Sequence, residues 1–146
     1  MQAIVRWTEG LTFLAKADSS HWVVMDTSKA SGGSDGAPAP MEMVLFALGG
    51  CTGMDVVSIL EKMRVPFKKF EIVLDADRSD THPKVFTQIR LEYRIYGDQI
   101  DPEKVQKAIA LSQEKYCSVA GMLKSSVPIT ATYSIFPLEE EKENAS

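Results

Sequence analysis

Residues 40–64 read PMEMVLFALGGCTGMDVVSILEKMR, and the rest of the chain has to be fitted round the helix they predict. Between Glu42 and Asp55 there is no charge, and Thr52, Asp55 and Ser58 are too sparse to give a helix a solvent face. A helix apolar nearly all round is a buried one. At about 1.5 Å per residue, residues 41–64 make a rod of roughly 36 Å, the width of a small domain, so it is expected to run through the core. Pro38 and Pro40 disfavour helix before them, and Glu42 complements the positive end of the helix dipole. Lys62 and Arg64 suit the last turn, and Pro66 prevents continuation. The uncharged run 43–54 is twelve residues long, against the roughly 18 to 20 that a bilayer crossing needs, so no membrane span is predicted. Cys51 stands at the midpoint beside Gly49, Gly50 and Gly53. Three helix-weakening residues in one place need a reason, and the expected one is close approach of another backbone or a substrate to the sulfur.

Outward from this helix, 146 residues fit one domain with a sizeable core. The net charge of −4 and pI near 5.2 argue against nucleic acid as a partner, since phosphate binding needs a basic patch. The opening MQAIVRWTEG has no basic region followed by an apolar run, so no signal peptide is visible and the expected location is the cytoplasm. Two cysteines are too few for a disulfide framework. In a reducing compartment such thiols are catalytic or simply buried.

Residues 2–7 alternate in polarity and 11–17 follow the turn signal Glu9-Gly10, which predicts a hairpin, with HWVVM (21–25) as a third short strand. The loop 26–39, DTSKASGGSDGAPA, is long for a small domain, as functional or disordered loops are, and ends at the mouth of the central helix. Segments 67–77 and 85–96 alternate with period two and predict two half-buried antiparallel strands, with a slip between Phe86 and Ile89 that suggests a β-bulge. Asp101-Pro102-Glu103 is a helix start. Val105, Ala108, Ile109, Ser112 and Tyr116 then mark one face, the pattern breaks at 116–118, and a short helix is expected over 119–124. Residues 127–136 predict a last strand. The expected organisation is one domain over 1–137 and a polar acidic tail, 138–146, that is disordered.

Two cysteines in these settings make a plausible dithiol. A thiolate attacks a peroxide oxygen to give a sulfenic acid, which a second cysteine resolves as a disulfide. Cys117 falls at a predicted helix start, where the dipole favours the thiolate. Asp55, one turn from Cys51, opposes thiolate formation and calls for a compensating cation. The plainer alternative is that both cysteines are small buried hydrophobes. His21 and His82 lack the close pair spacing of zinc ligands, and SGGSDG lacks the lysine of a phosphate loop, so neither metal nor cofactor is predicted.

The Pro-x-Glu start, the ALGGCTGMDVVSIL helix, QEKYCSV with its cysteine 66 positions after the first, and the β-rich flanks together resemble the OsmC/Ohr family, in particular its YhfA-like branch. The resemblance extends to about Phe136. It implies an α+β fold with antiparallel sheets around a long buried central helix, an intertwined homodimer, and thiol-dependent reduction of organic hydroperoxides with an unidentified dithiol reductant. Carried over residue by residue, it implies that Cys51 is the peroxidatic cysteine and Cys117 the resolving one, followed here by Ser118 where many members have proline. It implies a catalytic arginine near the N-terminus, for which Arg6 is the candidate, and a glutamate that orients it. Peroxidase branches place that glutamate ten positions before the first cysteine. Here that position is Met41, and Glu42 stands nine before. Nine positions turn a helix by roughly 900° and advance it roughly 13 Å, so Glu42 and Cys51 point to opposite sides. Glu42 is therefore expected to act on the partner chain's site. The rival expectation is a non-enzymatic protein that holds a small ligand on the same scaffold.

Overall fold

The computed structural model describes residues 1–138, so all but the first residue of the expected tail lies outside the described residues. The chain forms two compact units that divide after Phe46. In the amino-terminal unit, β1 (Ile4–Glu9), β2 (Thr12–Lys16) and β3 (Val23–Met25) form an antiparallel sheet in that order. Gly10 makes the hairpin turn at a left-handed φ of 54°, a conformation glycine adopts without steric cost. Every residue of β1 is exposed, Trp7 at 62%.

The loop before the helix is held by one side chain. Asp26 is buried, and its carboxylate accepts from the Ser34 hydroxyl, from the Ser34 amide at 3.1 Å and from the Gly36 amide at 3.0 Å. The Asp26 amide in turn donates to the Pro38 carbonyl at 3.1 Å. These bonds turn a glycine-rich run into a fixed approach to helix α1 (Pro40–Lys62). Proline takes the first helical position, as expected, and Glu42 reaches back to accept from the Ala39 amide at 2.7 Å. The helix stops at Lys62, and Arg64 follows with a left-handed φ of 57°.

The carboxy-terminal unit, from Ala47 on, holds the core. β4 (Lys69–Arg78), β5 (Phe86–Tyr96) and β6 (Ile129–Phe136) form a second sheet in that order. Alternation in β5 buries Ile89, Leu91, Tyr93 and Ile95, against which Leu48, Val56, Leu60, Val105, Ala108 and Val127 complete the apolar interior. The bulge expected in β5 is present. Asp77 pairs with Gln88 and Arg78 with Phe86, which leaves Thr87 without an opposite residue. Helix α2 (Pro102–Leu111) starts on Asp101, whose side chain accepts from the Glu103 amide at 2.9 Å.

Four expectations need correction. β6 runs parallel to β5, so the second sheet is mixed rather than antiparallel. Period-two alternation is blind to strand direction, whereas the connection through α2 returns the chain to the same end, the usual route to a parallel pair. Second, a single chain does not bury α1 all round. Only Leu48, Thr52, Val56 and Leu60, one row at every fourth position, are buried, while Phe46 and Met54 are exposed, Met54 at 77%. By length and composition the helix could also cross a membrane, with an 18-residue window of mean hydropathy 1.8, so the short uncharged run understated its apolar reach. Third, two of the three helix glycines serve packing rather than access to the sulfur, while Gly50 has nothing within 4 Å of a Cβ placed on it. A Cβ on Gly49 would lie 2.9 Å from Leu74 Cδ1 and one on Gly53 3.4 Å from Ile72 Cδ1, so both make room for β4 side chains. Fourth, the face marked by Ser112 and Tyr116 is broken. Ser112–Tyr116 form a π-helical turn, closed by the Cys117 amide on the Ser112 carbonyl at 2.8 Å. The wider turn brings Cys117 in beneath the core and leaves Tyr116 exposed.

Candidate functional site

The site is built where α1 passes the π turn. Cys51, half-buried on α1, and Cys117, buried as the N-cap of α3 (Ser118–Leu123), are both free thiols. Their sulfurs and a carboxylate oxygen of Asp55 all lie within 4.8 Å of one another. The two thiols brought together by resemblance therefore also meet in space.

Electrostatics distinguish the two. Cys117 Sγ accepts from the Ala120 amide at 3.3 Å. Burial nevertheless pushes its pKa up to about 11, and the neighbouring Cys51 and Asp55 act in the same direction against that single amide. The helix start does not make Cys117 acidic, contrary to expectation, because α3 has six residues and the sulfur is out of water. Among the described residues no ion pair joins Asp55 to a lysine or arginine. Its partner is a hydroxyl, Ser112 Oγ at 3.0 Å.

That hydroxyl belongs to a buried network that the sequence did not announce. Thr52 Oγ1 lies 2.8 Å from Ser112 Oγ and 2.6 Å from the Tyr93 hydroxyl. Gln113 Nε2 donates to Tyr93 at 2.8 Å and to Thr52 at 3.1 Å. Thr52, Tyr93 and Ser112 are inaccessible to water, and burial raises the Tyr93 pKa. Ser112 on an otherwise apolar helix face, and Tyr93 on the inward face of β5, were the available signals.

Arg6 and Glu42 belong to the amino-terminal unit. The Arg6 guanidinium carbon lies 5.6 Å from the Trp22 ring centre, a cation–π contact on β1, and Glu42 caps the start of α1. Both have structural partners of their own.

Fold and site define an α+β thiol protein, in which a half-buried helical cysteine stands beside a buried second one. Residues 32–132 match the family model for OsmC-like proteins, and the chain belongs to that family. Within it the chain falls in the YhfA-like branch: it is 46% identical over 135 residues to Protein YhfA of Escherichia coli K12, covering 92% of this chain and 98% of that one. A crystal structure of a hypothetical protein from Aquifex aeolicus superposes with a TM-score of 0.82 at 30% identity, over 94% of this chain and 97% of that one. An organic hydroperoxide resistance protein OsmC from Legionella pneumophila shares the fold, with a TM-score of 0.68 at 14% identity over 92% of this chain and 97% of its own.

Proposed function

We propose that this protein is a thiol peroxidase that reduces organic hydroperoxides in the cytoplasm as a homodimer. One observation carries the reading: two free thiols within 4.8 Å, one half-buried, the other buried. Cys51 thiolate attacks the distal peroxide oxygen, the O–O bond breaks, and the alcohol leaves with a proton. Cys117 then displaces water from the sulfenic acid to form the disulfide, which a dithiol reductant reopens. The hydroperoxide resistance protein of the same fold supports the substrate class. Arg6 and Glu42 enter as the arginine and its orienting glutamate on the family resemblance, with Glu42 serving the partner's site. The dimer is supported by apolar surface left open on the single chain, at Ile4, Val5, Trp7, Phe46 and Met54.

The test is the intact mass and free-thiol count before and after one equivalent of cumene hydroperoxide. Loss of two hydrogens and both thiols within a chain is expected. Cys51→Ser should abolish the reaction, while Cys117→Ser should stop at a sulfenic acid. Two unreacted thiols would refute the reading and favour a ligand-binding protein. That second reading has one observation of its own. A cavity of about 480 Å³ beside Ile109, Gln113, Ala131 and Tyr133 is of a size to hold a small ligand.

A further inference from the structure

The hydrogen bonds around Asp55 have a direction. An ionised carboxylate only accepts, so the Ser112 hydroxyl, 3.0 Å from Asp55 Oδ2, must donate to it. A hydroxyl has one proton. Ser112 therefore accepts from Thr52 at 2.8 Å, and Thr52, its own proton committed, accepts from the Tyr93 hydroxyl at 2.6 Å. Tyr93 accepts in turn from Gln113 at 2.8 Å. Every hydroxyl proton in the chain points towards Asp55. The network thus orients the carboxylate from the Ser112 side.

Asp55 also has two outlooks. On one side a carboxylate oxygen lies within 4.8 Å of both sulfurs, and on the other the residue lines a cavity of about 420 Å³ with Met54, Ser58, Lys62 and Tyr116. Cys117, by contrast, is buried with a pKa pushed up to about 11, so near neutrality it is a thiol that must lose a proton before its sulfur can attack. Its side chain is buried, and a carboxylate oxygen of Asp55 lies within 4.8 Å of its sulfur.

We infer that Asp55 carries the proton of the resolving step: it takes the thiol proton of Cys117 as that sulfur attacks the sulfenic sulfur of Cys51, and returns it to the departing hydroxide. The S–H bond breaks, the S–S bond forms, and the S–O bond breaks with water as the product. The sulfenic sulfur is reduced, the Cys117 sulfur is oxidised, and Asp55 ends as it began. Ser112 acts through Asp55 and is a positioning residue. This role rests on the reading of Cys51 as the thiol that peroxide oxidises. The charged and titratable groups that face Asp55 are Cys51 and Lys62 from α1, Tyr93 from β5, and Tyr116 and Cys117 from the segment after α2.

The experiment separates the two steps. Sulfenic acid on Cys51 is trapped with dimedone after one equivalent of cumene hydroperoxide, and disulfide formation is followed by rapid quenching and intact mass. Asp55→Asn should form sulfenic acid within about twofold of the wild-type rate and slow disulfide formation by roughly 10²-fold, the low end for loss of general acid–base catalysis. Its disulfide rate should climb with pH as hydroxide takes over, where the wild type is flat. Asp55→Glu should recover part of the rate. Ser112→Ala should slow the same step less and tilt its pH profile, which a merely structural role would not do. Attack of Cys117 is also read without peroxide, as release of thionitrobenzoate from protein loaded with it on Cys51. The same ordering of variants there sustains the role of Asp55 even if peroxide fails to oxidise the wild type, an outcome that sinks only the peroxidase reading. Wild-type disulfide and release rates in Asp55→Asn, or equal slowing of both steps, would overturn the inference.

Discussion

Replacing Thr52 with valine keeps the shape of the side chain and removes the hydroxyl on which three partners converge. Ser112 still donates to Asp55, and Gln113 still donates to Tyr93. The Tyr93 proton is left without an acceptor at a site closed to water, which costs about 1–3 kcal/mol. Tyr93→Phe leaves Thr52 with Ser112 and Gln113 as partners and should cost about 1 kcal/mol. In the double variant the orphaned proton no longer exists, so the two changes together should cost about 1–2 kcal/mol less than their sum. Thr52→Ser, which keeps the hydroxyl and loses a methyl, should cost no more than about 1 kcal/mol. The assay is reversible urea denaturation in reducing buffer at one fixed protein concentration, since association would shift the midpoint. Additivity of Thr52→Val and Tyr93→Phe within about 0.5 kcal/mol would show that the two hydroxyls are not coupled, and the directional chain would fall with them.

Acid should act on the loop before the helix. The Ser34 hydroxyl foremost, with backbone amides beside it, lowers the Asp26 pKa from 3.8 to about 2, so its contribution is present above pH 3.8 and is lost as pH falls through about 2. Thermal unfolding scanned across that window should drop more steeply for the wild type than for Asp26→Asn, and parallel curves would show that this carboxylate does not anchor the loop. Mixing subunits tests Glu42: a heterodimer of Cys51→Ser and Glu42→Ala chains should recover about half of the wild-type activity if the glutamate acts across the dimer. Activity no higher than in the parent variants would refute this, and a stable folded monomer in sedimentation would remove the dimer itself.

The sequence determined what depends on neighbours along the chain. The apolar run with Pro40 before it and Pro66 after it placed α1, the Asp101-Pro102 cap placed α2, and alternation placed β4, β5 and the bulge between them. The setting of each cysteine was distinctive enough to pair Cys51 with Cys117 by resemblance, and their proximity agrees. Tertiary structure decided the rest. Strand direction in β6, the seating of Leu74 and Ile72 over the helix glycines and the open faces of α1 follow from packing, which alternation and composition do not encode. The site beyond its sulfurs was hidden for the same reason. Thr52 meets Tyr93, Ser112 and Gln113 across 41, 60 and 61 positions, and each read alone is an ordinary residue of a helix or a strand. One π turn, an extra residue that helical periodicity cannot foresee, swings Cys117 inward and Tyr116 outward, and so sets which side chain faces Cys51.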